Sequence, residues 1–113
     1  MQDCLFCKIA RGDIPSQKVF EDDRILAFYD VSPQAPVHVL IIPKEHIDSM
    51  DALSAEQESL AGYMLRITRD IAKDLNLAEG YRAVINTGAD GGQTVPHLHI
   101  HLLGGRELQW PPG

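Results

Sequence analysis

The sequence has few cysteines, few aromatic rings and little positive charge, and each shortage excludes something. It holds two cysteines and one tryptophan among 113 residues, with aromatic residues at 6%. Two cysteines are too few for the dense disulfide framework of a small secreted domain. Lysine and arginine number 10 against 16 aspartates and glutamates, for a formal charge of −6. That balance argues against a nucleic-acid partner, whose phosphates are neutralised by basic surface. It also means that any phosphate must be recognised locally. No apolar run approaches the roughly 20 residues of a membrane span, and no charged-then-apolar leader opens the sequence, so the expected setting is cytoplasmic, with no membrane partner. No linker, repeat or low-complexity segment breaks the pattern. The expectation is one domain over residues 1–113, near the size at which a partner subunit or a metal helps stability.

What the sequence does have is histidine in one place. Three of its five histidines fall in His97-Leu98-His99-Ile100-His101-Leu102-Leu103, alternating with aliphatic residues. In an extended chain, side chains two apart share a face, so the imidazoles line one side and Leu98, Ile100 and Leu102 the other. A row of imidazoles is costly to charge together, since each titrates at about 6.5 when unperturbed. Three readings fit: a buried strand whose rings find hydrogen-bond partners, a metal site, or a phosphate site with a histidine nucleophile.

Cys4 and Cys7 form Cys-Leu-Phe-Cys near the N-terminus. A redox pair is expected beside a βαβ pattern, which is missing, and a structural disulfide fits poorly with a cytosolic chain. A zinc half-site needs two further ligands, and buried, unliganded thiols are the remaining account. Residues 5–10 predict a short helix ending at Gly12, with Pro15 blocking its continuation. Residues 18–21 and 24–31 read as strands around the turn Asp22-Asp23, with Asp30 following Leu26 and Phe28 onto one face. An acidic group there is either a solvated strand end or an acceptor for a ribose diol. After the turn Ser32-Pro33-Gln34-Ala35-Pro36, residues 37–42 form a β-branched run closed by Pro43, with His38 on the face of Leu40 and Ile42. Ser54-Ala55-Glu56-Gln57 has the form of a capping box, and Leu60, Met64, Ile67, Ile71 and Leu75 then mark one long helix whose apolar stripe is core. Asn76 and Gly80 bracket its end, and residues 81–86 read as a further strand. The glycines of Thr87-Gly88-Ala89-Asp90-Gly91-Gly92-Gln93-Thr94 permit a nest of N–H groups that binds anions, flanked by Asn86 and Thr94.

The histidine row resembles the histidine-triad motif, His-φ-His-φ-His-φ-φ with φ apolar, of the HIT superfamily. The likeness runs nearly end to end and is similar to the Hint branch, the histidine-triad nucleotide-binding proteins: Ile14-Pro15, Phe20-Glu21-Asp22-Asp23, the 32–36 turn, Ile42-Pro43-Lys44, Gly91-Gly92-Gln93, Gly104-Gly105-Arg106 and Trp110-Pro111-Pro112-Gly113. The resemblance implies an α+β fold with an antiparallel sheet of about five strands, one long helix and a short N-terminal helix, the sheet continuing across a homodimer. It implies hydrolysis of purine nucleoside phosphoramidates through a nucleotidyl-histidine. His99 is then the nucleophile, His101 contacts the phosphate, His38 supports the triad, and Thr94, where the family often has serine, serves the leaving group. Asn86, Gly92 and Gln93 hold the phosphate, Asp30 takes the ribose hydroxyls, and Leu5, Phe6, Phe28 and Val31 enclose the base. Trp110 is implied to reach the partner subunit's active site. Cys4, Cys7, His46 and His97 are implied to hold a structural zinc, a closed Cys2His2 set with no open position for water; no organic cofactor is implied. Two rivals remain: a nucleotide-sensing or partner-binding module with incidental hydrolysis, and a catalytic-zinc hydrolase that uses all three triad histidines.

Overall fold

The computed structural model describes residues 4–113. A seven-residue helix, α1 (Leu5–Arg11), is closed by Gly12 in the left-handed conformation at φ 85°. Strands β1 (Lys18–Glu21), β2 (Ile25–Tyr29) and β3 (Val37–Pro43) follow. Two 3-10 turns lead into the long helix α2 (Glu58–Asp74), after which come β4 (Tyr81–Val84) and β5 (Ile100–Gly104). The five strands form one antiparallel sheet in the order β1-β2-β3-β5-β4. The last strand in sequence therefore lies inside the sheet, between β3 and β4.

Local chemistry accounts for the ends of α2. Gln57 Oε1 accepts the Ser54 N–H at 2.9 Å, one half of the expected capping box. Past the last turn, Asn76 sits at φ 62°, a conformation that asparagine tolerates better than most residues. Leu60, Met64, Ile67 and Ile71 of α2 are buried against Ile25, Ala27, Val39, Ile41, Ile100 and Leu102 of the sheet. Each such side chain contributes about 1.5–3 kcal/mol by leaving water. The opposite face of the sheet presents Leu26, Phe28, Leu40 and Ile42 to Phe6 and Ile9 of α1. Because both faces are covered, β2 and β3 read as nearly continuous apolar runs.

The structure corrects one boundary that matters. The alternation of histidine and aliphatic residues predicts a strand from His97, yet β5 begins at Ile100. Its pairing with β3 stops at Ile41 and Ile100: the register would set Leu98 opposite Pro43, which has no N–H to give. The Leu98 N–H turns instead to the Ile47 carbonyl at 2.7 Å. The two-face pattern survives this loss of ladder. Leu98 still packs with the α2 side, while the Phe6 ring meets both His97 and His99 edge-on.

Candidate active site and metal centre

The hydrogen bonds of each ring nitrogen fix which tautomer the histidines hold, because a carbonyl or carboxylate only accepts and a backbone N–H only donates. His99 is buried, and its Nδ1 lies 2.7 Å from the His97 carbonyl. Nδ1 therefore carries the proton, and the lone pair is on Nε2. Phe6 walls this ring from one side, with centroids 5.1 Å apart, and His101 stands on another at 4.9 Å.

His38, also buried, accepts the Gln34 N–H at Nδ1 at 3.0 Å. Its proton is thereby placed on Nε2, which lies 2.9 Å from Nδ1 of His101 and 3.5 Å from the Asp30 carboxylate. His101 must accept at Nδ1 and so presents its own N–H at Nε2. The result is an ordered pair, a nucleophilic lone pair on His99 beside an N–H donor on His101. Burial first, then the neighbouring His99 and His38, lowers the His101 pKa to about 4, against the pull of Asp30. Burial likewise lowers the His38 pKa, again opposed by Asp30.

A second cluster lies behind the first. One donor atom each from Cys4, Cys7, His46 and His97 falls within 4.8 Å of every other. The thiol of Cys4 is 3.3 Å from His97 Nδ1, and that of Cys7 is 3.2 Å from His46 Nδ1. The far nitrogens supply a test of fit to a metal. His97 Nε2 donates to the Pro43 carbonyl at 2.8 Å, and His46 Nε2 to the Asp48 carboxylate at 2.6 Å. Both rings thus aim a lone pair inward and anchor the opposite N–H outward, the arrangement that metal-bound histidines adopt. Two thiols and two imidazoles match zinc in type and number. Burial raises the Cys7 thiol pKa, and Cys4 adds to that; a bound cation would reverse it by holding the thiolate.

The same test separates a rival cluster. Asp30, His38 and His101 also bring donor atoms within 4.8 Å of one another. Here, however, the far nitrogen of His38 accepts an N–H from Gln34. A metal on His38 Nε2 would require a proton on Nδ1, pointing at that N–H. This trio is built for hydrogen bonds rather than for a metal.

The remaining candidate residues fall into five groups. Asp30 is joined to the triad through His38, and its other oxygen accepts the Ser32 N–H at 2.8 Å. Phe6 and Phe28 are buried and pack edge-on, centroids 5.7 Å apart, whereas Leu5 is half-exposed and Val31 is 98% exposed. The glycine loop is closed on itself: Asn86 Nδ2 donates to the Gly91 carbonyl at 2.7 Å, the Gln93 N–H to Gly88 at 3.0 Å, and the Gly92 N–H to Ala89 at 3.1 Å. A Cβ at Gly91 would collide with the Thr87 backbone, so the turn needs glycine there. Thr94 is exposed at the loop's exit, beside an open cavity of about 450 Å³ that it shares with Leu5 and His46. Trp110 is 82% exposed in a tail whose Leu108 and Gln109 carbonyls accept from Arg82.

Sequence reasoning missed the organising role of Gln93. Its Nε2 donates to the Asp48 and Val95 carbonyls at 2.8 and 3.0 Å, while its Oε1 accepts the Gly88 N–H at 3.0 Å. The residue clamps the loop that carries His46 to the glycine loop. Nothing in the order of residues signals such a clamp, because its partners are backbone atoms and the Asp48 carbonyl is 45 residues away.

Comparison with known proteins identifies the family. The HIT domain family model matches residues 11–108. An uncharacterized HIT-like protein of Synechococcus elongatus is 57% identical over 99% of this chain and 98% of its own length. A 14 kDa zinc-binding protein of Zea mays is 48% identical, covering 96% of this chain and 87% of its own. Among solved structures, a HIT family hydrolase from Legionella pneumophila superposes with a TM-score of 0.97 at 50% identity, over 98% of this chain and all of that one. On the extent of the family match and of these likenesses, the chain belongs to the HIT domain family.

Proposed function

We propose that this protein is a hydrolase of purine nucleoside phosphoramidates, cleaving adenosine or guanosine 5′-monophosphoramidates of the AMP–amine or AMP–lysine type through a nucleotidyl-histidine. The observation that carries the reading is the His99 ring, whose Nδ1–H is held by the His97 carbonyl at 2.7 Å and whose Nε2 is left as a nucleophile. Nε2 attacks the α-phosphorus and the P–N bond breaks. The amine leaves with that electron pair and takes a proton relayed from solvent by the Thr94 hydroxyl. The intermediate is a cationic phosphoryl-imidazole whose remaining N–H already points at a carbonyl. Water then attacks phosphorus, the P–Nε2 bond returns its pair to His99, and the proton goes to solvent. The His101 Nε2–H donates to a phosphate oxygen throughout. Asp30 takes the ribose, and Asn86 and the glycine loop line the phosphate.

Zinc belongs to Cys4, Cys7, His46 and His97 in this reading, supported by the donor set and by the name of the Zea mays relative. When bound there it supplies a cross-link between α1, the 46–48 loop and His97. We place the protein as a symmetric homodimer, supported by the small acidic domain, by the edge position of β4 with Tyr81 44% exposed, and by the uncovered Trp110. A nucleotide-sensing module is the second reading, and it gives no use to the free lone pair of His99. A steady-state assay with an adenosine phosphoramidate decides between them. Turnover by the wild type with a loss of about 10³-fold or more in His99→Ala supports the hydrolase. Binding without turnover supports the sensing module, and activity within tenfold in the variant supports the catalytic-zinc hydrolase.

A further inference from the structure

Arg106 takes no part in the proposed binding or chemistry, yet the chain is shaped to deliver it to one point. After β5 ends, Gly105 adopts φ 89°, and a Cβ there would lie 2.9 Å from Cβ of Pro36. Only glycine lets the backbone pass so close to the 32–36 turn in that conformation. The next side chain then lands on Gln34: Arg106 Nη2 and Nε donate to its carbonyl at 3.0 and 3.4 Å. The third contact, from Nη1, goes to the Glu107 carbonyl at 3.2 Å. A guanidinium that donates to carbonyls alone is acting as a backbone clamp.

Gln34 is the residue whose N–H enters the site, donating to His38 Nδ1 at 3.0 Å. We propose that Arg106 is a positioning residue for the hydrolysis: by clamping Gln34 it keeps His38 in its Nε2–H tautomer and so keeps His101 presenting Nε2–H to the phosphate. Four links run in series: Arg106 to the Gln34 carbonyl, the Gln34 N–H to His38, His38 to His101 at 2.9 Å, and His101 to substrate. If the Gln34 N–H drifts away, only the Asp30 carboxylate at 3.5 Å still favours the proton on His38 Nε2, and part of the population moves it to Nδ1. The Nε2 lone pair of His38 then faces the lone pair on His101 Nδ1. His101 relieves this by taking the proton on Nδ1, and the phosphate loses its donor. The Gln34 side chain does not anchor the residue itself: its Nε2 reaches only the Ser32 carbonyl, within the same turn, while the turn's other holds are the Ser32 N–H on Asp30 and the buried Ala35.

The consequence for catalysis rests on the proposed hydrolysis, but the tautomer is readable without it. The experiment records long-range proton–nitrogen spectra of the histidine rings in 15N-labelled full-length protein, beside kcat and KM for an adenosine phosphoramidate. The wild type should show His38 protonated at Nε2 and not at Nδ1. In Arg106→Ala the His38 signals should move toward a mixture of tautomers. Its kcat should fall about ten- to hundredfold, as is usual for outer-layer partners of a site, with KM changed less than threefold. Arg106→Lys, which keeps a charge but loses the fork, should fall between the two, and it carries the test if the alanine variant does not fold. An unchanged His38 tautomer in a folded variant overturns the proposal, whatever happens to the rate. So does a shifted tautomer with an unchanged kcat. Absence of turnover in the wild type counts against the hydrolase reading instead and leaves the ring spectra to decide the clamp.

Discussion

Replacing Phe6 by alanine separates stability from chemistry, because the ring sits in two environments at once. It is 5% exposed, packs edge-on to Phe28, and touches His97 and His99 with centroids 5.9 and 5.1 Å away. A buried phenylalanine removes about 150–250 Å² from water, worth about 4–6 kcal/mol at about 25 cal/mol per Å². A compact denatured state reduces that by about 10–40%, giving about 3–5 kcal/mol, the measured range for Phe→Ala in cores. At about 4 °C per kcal/mol for a domain of this size, the melting temperature should drop by about 12–20 °C. Urea titration followed by far-ultraviolet circular dichroism measures the same loss at constant temperature. The variant should also lose kcat, because the wall against His99 is gone while its hydrogen bond to the His97 carbonyl remains. A loss below about 1 kcal/mol would mean that α1 is not seated on the sheet as described. Full stability loss with kcat intact would mean that the ring does not hold His99.

Three shorter predictions follow from the two clusters. Cys4→Ser with Cys7→Ser should take bound zinc, counted by metal analysis, from one per subunit to none, and should lower the melting temperature by about 10 °C while lowering turnover less; zinc retained, or stability unchanged, contradicts the closed site. Asp30→Ala should weaken ribonucleotide binding by about 1–3 kcal/mol and deoxyribonucleotide binding less, by calorimetry; equal losses would make Asp30 only a partner of His38. The His101 pKa is lowered from 6.5 to about 4, so the unfolded chain binds the extra proton between those values. Stability from this group is therefore complete above about pH 6.5, declines as the pH falls, and is fully lost below about pH 4. Urea midpoints across that window should fall less steeply in His101→Gln than in the wild type, and parallel slopes would contradict it.

The features legible in the sequence are those set by local periodicity. The α2 stripe of Leu60, Met64, Ile67 and Ile71, and the alternation that puts His99 and Leu98 on opposite faces, need only the geometry of a helix and of an extended chain. The start of β5 was not legible, because it depends on where β3 stops offering partners, and Pro43 of another strand decides that. The tautomers of His38 and His101 were equally hidden, since they are set by one N–H from the 32–36 turn. The roles of Gln93 and Arg106 lie in side-chain bonds to distant backbone carbonyls, for which residue type carries no signal. The four-residue Cys-Leu-Phe-Cys half-site read as one of several accounts until the resemblance supplied His46 and His97. The structure then showed both rings aimed inward with their far nitrogens anchored.

The most direct test of the account is a single-turnover reaction of the wild-type protein with an adenosine phosphoramidate, quenched without acid and read by intact-mass and peptide-level mass spectrometry. A transient adenylyl adduct should appear with release of the amine, decay with release of AMP, and map to His99, with none formed by His99→Ala. Amine release with no adduct at any time, or an adduct on His38, His101 or a cysteine, would contradict it.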